Sequence, residues 1–172
     1  MNLVTEKKSG ERLIGGVRDL LTAGWLGEQL FAQLGLHRAV SVLRDPGERT
    51  RVISAAWKAE RPFGATVGGA LALTALEGLV SGPRDRKKNR LDRAASALAL
   101  GACAASVGSA LAGQRIAASG HGETPIETGF SPDAETPSGA RNAQKMLRVL
   151  APIGMALGVA SIGLSLASRA LD

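Results

Sequence analysis

Residues 94–114 read AASALALGACAASVGSALAGQ, a run with no Asp, Glu, Lys, Arg or His. A helix needs about 20 mainly apolar residues to cross the hydrocarbon core of a bilayer, and this run supplies them. Two further blocks are alike. Residues 62–83 carry one ionisable group, Glu77, and residues 149–168 carry none. Together they predict an all-α fold: a small helical integral membrane protein with three transmembrane helices, or four if the N-terminal amphipathic helix also crosses.

Composition agrees with that class. The 172 residues carry 21 Lys+Arg against 15 Asp+Glu, a formal charge of +6. These charges are gathered between the apolar blocks instead of alternating with apolar residues. Glycine is abundant, at 22 residues, while aromatics amount to two Trp, three Phe and no Tyr. A soluble core of this size draws on Leu, Ile, Val and Phe. Small residues suit membrane helices, which associate through close backbone approach. The competing reading is a soluble Ala-rich helical protein, because Ala and Gly gain little on entering lipid.

Outward from the three blocks, the chain divides at about residue 62. Residues 1–61 form an amphipathic or interfacial helical region, and 62–172 a transmembrane region with a polar loop at 115–142. Met1 to Leu13 lacks the apolar core of a secretory signal, so no cleaved signal peptide is expected. From Glu11 to Leu43 the pattern is helical. Arg18, Thr22, Gln29, Gln33 and His37 fall within about 100° of one another, while Leu13, Val17, Leu20, Leu30, Phe31 and Leu34 lie mostly elsewhere. Polar groups facing lipid are costly, which favours a helix lying in the interface plane or covered by a partner. The alternative is a crossing from Leu20 to Leu36 with Glu28, Gln29 and Gln33 turned toward protein.

Asp45-Pro46-Gly47 is a turn signal, and Pro62 is expected at the start of the first clear membrane helix. Trp57 and Phe63 would then lie at the bilayer boundary. Thr136-Pro137 reads as an N-cap followed by proline at the first helical position. Pro152 predicts a kink or local break in the last helix.

Between the first two blocks, Arg84, Arg86, Lys87, Lys88, Arg90 and Arg93 put six basic residues in ten. Short basic loops stay on the cytoplasmic side, so loop 84–93 is expected there, with anionic lipid head groups or an acidic partner as its functional option. Nucleic acid is not an expected partner, since no aromatics interleave with the charges to stack bases.

Gly64 and Gly68, Gly154 and Gly158, and the series Ala104, Gly108, Ala112 repeat small residues four apart in every apolar block. That spacing lets a second helix approach closely, and these positions are the expected helix-packing sites. Glu77 is the one carboxylate inside a block, hence the candidate ion or proton site; snorkelling, or pairing with Arg84 and Arg86, competes with that role. Cys103 is the single cysteine and is expected buried and inert. His37 and His121 stand far apart without a second ligand. No nucleophile, phosphate-loop or zinc-peptidase pattern occurs, so neither catalytic residues, metal nor cofactor are expected. The expected role is a non-catalytic accessory, anchoring or scaffold subunit, with membrane lipids and other membrane subunits as partners in a hetero-complex or a homo-oligomer. The alternatives are a small homo-oligomeric transporter or channel using Glu77, and a peripheral protein that binds anionic lipid.

Overall fold

The computed structural model describes residues 3–80, 86–119, 126–128, 131–132 and 136–171. Helix α1 (Leu3–Leu30) runs through a π-helical turn at Phe31–Leu36 into the short α2 (His37–Ser41). Long helices α3 (Pro46–Val80), α4 (Arg86–Ser119) and α5 (Ser138–Arg169) follow. Between α4 and α5, β1 (Ile126–Thr128) and β2 (Ser131–Pro132) pair antiparallel, Ile126 opposite Pro132 and Thr128 opposite Ser131. The fold is all-α, and α3, α4 and α5 contain the three stretches long and apolar enough to cross a membrane.

Several boundaries differ from the sequence reading, each for a local reason. Asp45-Pro46-Gly47 stands where the turn after α2 gives way to α3, which begins at Pro46. Pro46 takes the first helical position, where a missing N–H costs nothing, and Asp45 Oδ1 accepts from the Gly47 N–H at 3.0 Å. Pro62 therefore sits inside a 35-residue helix rather than opening one. It is exposed, and the Thr66 hydroxyl bonds back to its carbonyl at 2.8 Å. Pro137, in an extended conformation (ψ 145°), is itself the residue flanking α5, one position later than the expected Thr136 cap. Helix α5 is continuous through Pro152, so no break occurs there. The basic stretch expected as a loop is mostly the first two turns of α4, and α4 and α5 also extend into the expected 115–142 loop from either side.

Helices α4 and α5 form the tightest pair. Ser161 Oγ donates to the Ala95 carbonyl at 2.8 Å, and a Cβ built on Gly154 would stand 3.2 Å from the Ala105 Cβ. Leu157 Cδ1 lies 3.1 Å from the same point on Gly101, and Leu150 Cδ1 2.9 Å from that on Gly108. As the α5 number falls the α4 number rises, so the two are antiparallel. The leucines are seven apart on α5 and the glycines seven apart on α4, so each knob drops into the hole a glycine leaves. On α5 the buried positions are Ala140, Ala143, Gln144, Ala151, Gly154, Gly158, Ser161, Ser165 and Ser168. From Ala151 to Ser168 they keep alternating steps of three and four residues.

Interior and exterior are reversed relative to a soluble bundle. Inside lie Ala75, Ala95, Ala99, Ala102 and Ala112 with Ser96, Ser161 and Ser165, whereas Leu73, Val80, Val107, Leu111, Ile153 and Val159 are exposed. Helix α1 follows the same rule. Of its expected polar stripe, Arg18 and Thr22 are turned inward, 4% and 1% exposed, and Gln29 is half-buried, while Leu20 on the outer face is 74% exposed. Beyond the bundle, Val40 of α2 and Ile53 of α3 form a small satellite core with Leu36, Leu43 and Trp57. The Arg49 Nε–H closes it by donating to the Leu43 carbonyl at 2.7 Å.

Candidate functional site

Two polar constellations lie where α1 meets the other long helices. The first is built around Arg18. Its Nη1 donates to Ser96 Oγ on α4 at 2.7 Å and its Nη2 to Ser165 Oγ on α5 at 3.0 Å. Its Nε stands 3.6 Å from Asp19 Oδ1 and has no hydrogen-bond acceptor. Asp19 Oδ2 accepts from Ser165 Oγ at 2.8 Å and from Arg169 Nη2 at 2.5 Å. Ser96 Oγ also donates to the Asp92 carbonyl at 2.8 Å, and Thr22 to the Arg18 carbonyl at 2.8 Å. Glycine at 78 is required by this network: a Cβ there would collide with Ser96 Oγ and stand 3.1 Å from Arg18 Nη1. One cation thus joins the middle of α1 to α3, α4 and α5. A guanidinium suits this because its fork of donors reaches several acceptors at once, and a desolvated charge needs them.

The second constellation joins α1 to α3. The Glu28 and Glu60 carboxyls face each other within interaction range. Glu60 reaches back along its own helix over Gly64, where a Cβ would collide with Glu60 Oε1. Glu28 Oε2 is buried without a hydrogen-bond partner.

Between the two lies Trp25, buried with Leu26 and Ala102. Its ring rests on the glycine face of α5. A Cβ on Gly154 would be 3.3 Å from Trp25 Cη2, and one on Gly158 3.0 Å from Cζ3. Gly154 and Gly158 therefore receive α1 as well as α4.

The other residues singled out in the sequence are placed as follows. Gly108 receives Leu150 and Ala112 is buried, while Ala104 faces outward and its neighbour Ala105 meets α5. Gly64 is filled by its own helix's Glu60, and a Cβ on Gly68 would meet nothing within 4 Å. Cys103 is half-buried, its Sγ 3.8 Å from the Gly68 carbonyl. Glu77 is half-buried one residue before Gly78, with no charged partner among the described residues. Arg84, the partner considered for it, and His121 lie outside those residues. Lys87, Arg90 and Arg93 are exposed on the first turns of α4, which Arg86 and Lys88 share. Trp57 is half-buried in the satellite core and Phe63 is exposed. Among the described residues no group of three His, Cys, Asp or Glu could hold a metal.

Sequence reasoning missed Arg18 as an anchor, the partnership of Asp19 with Arg169, and the Glu28–Glu60 pair. One signal was available: Gly154, Gly158, Ser161, Ser165 and Ser168 keep one helix face small and end in hydroxyls suited to receive a cation. Nothing local to Glu28 and Glu60, 32 positions apart, announces their meeting. No protein-family model, curated protein or solved structure matches this chain.

Proposed function

We propose that this chain is a non-catalytic accessory, anchoring or scaffold subunit of a larger membrane complex. The observation that carries the reading is α3. Of its most apolar 18 residues 11% are buried within the chain, against 28% in each of the other two spans. Its outer surface includes Gly69 and the open space at Gly68, and a helix bared to its backbone accepts a close neighbour. The polar stripe of α1 lends less support than its sequence does, because Arg18 and Thr22 are covered by the chain's own helices. The basic start of α4 orients the subunit, with residues 84–93 cytoplasmic under the positive-inside rule. Membrane lipids and other subunits are its partners, with no nucleic acid.

Purification in mild detergent followed by identification of what co-purifies tests this. The expected result is a stoichiometric membrane subunit that Gly68→Leu releases without unfolding the chain. A chain that purifies alone and moves ions or protons in vesicles would refute it. A second reading, a small homo-oligomeric transporter or channel, is favoured by the Glu28–Glu60 pair more than by Glu77. Under the accessory reading, Glu77→Gln and Glu28→Gln leave assembly intact, and neither changes proton flux.

A further inference from the structure

We infer that α1 is a fourth membrane-embedded helix, its outward face in contact with acyl chains, and that both ends of the chain lie on one side of the membrane. A helix lying in the interface touches its bundle at one depth. Helix α1 touches it at several. Along α5 it meets Ser165 through Arg18, then Gly158 and Gly154 through Trp25. Residues 165 and 154 are about 16 Å apart at 1.5 Å per residue, half the thickness of the hydrocarbon core. Along α3 it passes Gly78 at Arg18, then Leu71 and Ala75 at Leu21, and reaches Glu60 at Glu28. Residues 78 and 60 are about 27 Å apart on the same rise. Helix α1 therefore runs along the bundle, antiparallel to α3 and α5, through the depth their apolar blocks occupy.

Its two faces match that position. Val17, Leu20, Leu30, Phe31 and Leu34 point away from the bundle, Leu34 at 65% exposure. They continue the apolar exterior formed by Leu73, Val107, Leu111, Ile153 and Val159. This continuity with the lipid-facing surfaces of the three spans is what identifies acyl chains as the occupant. From Leu20 to Leu36 one side chain is ionisable, Glu28, and it turns to a carboxyl on α3 instead of lipid. Charged groups at membrane depth face the interior and pair, and Arg18, with Ser96, Ser165 and Asp19, obeys that rule near the end of the belt.

Sidedness then follows. If α1 crosses, the N-terminus, the start of α4 and the end of α5 share one side, and α2 stands on the other. If α1 is peripheral and three helices cross, the N-terminus shares a side with α2, and the C-terminus is opposite. Single cysteines in the full chain, on a Cys103→Ser background, distinguish the two. Gly10→Cys, Ser41→Cys and Leu171→Cys are all at exposed positions. In sealed vesicles of one orientation, a water-soluble maleimide added outside is expected to label Gly10→Cys and Leu171→Cys alike and Ser41→Cys oppositely. Gly10→Cys and Ser41→Cys labelling together would overturn the inference. Leu20→Cys tests the occupant. It is expected to react about tenfold or more slowly than Gly10→Cys with the reagent given access to both sides, since a thiol in hydrocarbon does not ionise. A bimane attached there before reconstitution should be quenched by nitroxide-labelled lipid. Water-like reactivity, or a bimane shielded from lipid by another protein, would overturn the assignment of that face to acyl chains.

Discussion

Substituting alanine at Gly158 and at Gly68 should move stability in opposite directions, although both glycines begin or end the same kind of motif. At Gly158 the new methyl would stand 3.0 Å from Trp25 Cζ3, 3.1 Å from Leu26 Cδ2 and 3.3 Å from Leu26 Cγ. The tryptophan cannot slide toward Gly154, because it already lies close over that glycine. Overpacking of this kind costs about 1–3 kcal/mol. Replacing a helical glycine recovers about 0.5–1 kcal/mol of propensity, which leaves a net loss on the order of 1 kcal/mol. At Gly68 a methyl meets nothing within 4 Å, so only the propensity gain of about 0.5–1 kcal/mol remains. The variants should therefore differ by roughly 2 kcal/mol, more than tenfold in the folding equilibrium. Titration of the purified protein from mild detergent into denaturing mixed micelles, followed by Trp25 fluorescence with Trp57→Phe as background, measures the difference. Equal stability, or Gly158→Ala the more stable, would refute the docking of α1 on the α5 glycines.

Arg18→Met should destabilise by about 1–3 kcal/mol, as hydrogen bonds of Ser96 and Ser165 are lost; Asp19 keeps Arg169, so no carboxylate is stranded, and unchanged stability would mean α1 is not tied there. Gly78→Ala should destabilise in the wild-type background and less so with Ser96→Ala, because the colliding hydroxyl is then gone; a double-mutant cycle should give a coupling of about 0.5–3 kcal/mol, and strictly additive costs would contradict the packing. Glu28→Gln should stay within about 0.5 kcal/mol of wild type, since an amide can donate to Glu60, whereas Gly64→Ala should destabilise by displacing the Glu60 carboxyl. Destabilisation by Glu28→Gln but not by Gly64→Ala would refute the paired-carboxyl geometry.

The fold class was legible in the sequence because it rests on a bulk property. Runs such as Ala94–Gln114 lack charge over a membrane's thickness whatever their neighbours do. The helix-packing faces were half legible. Gly108, Ala112, Gly154 and Gly158 lie in contact surfaces, but four-residue spacing cannot distinguish the face that meets a helix from one that does not, as the exposed Ala104 illustrates. What decides is the facing chain, here Trp25 and Leu150, whose positions follow from tertiary packing. Two residues of the α1 stripe, Arg18 and Thr22, meet the chain's own helices. Arg18 and Thr22 suggested water or a partner, because amphipathicity reports only that two faces differ. Which face is inward depends on the solvent, and in lipid the polar one is.

That inversion also explains how so small-grained an interior selects one arrangement. Ala, Gly and Ser fit against each other at many offsets, and apolar burial offers little preference where the surroundings are themselves apolar. Leu150 over Gly108 and Leu157 over Gly101 fix α5 against α4, yet a slip by seven residues would keep part of that pattern. Arg18 admits no such slip. A shift of one turn along α5 would take its guanidinium from Ser165 toward Ser161 and away from Ser96 and the notch at Gly78. It would also part Asp19 from Arg169. Buried ionic groups frequently cost stability relative to apolar ones while fixing register. In this chain the buried Arg18 sets where α1 stands, the glycine face of α5 sets how near it comes, and α3 is left with the least covered surface.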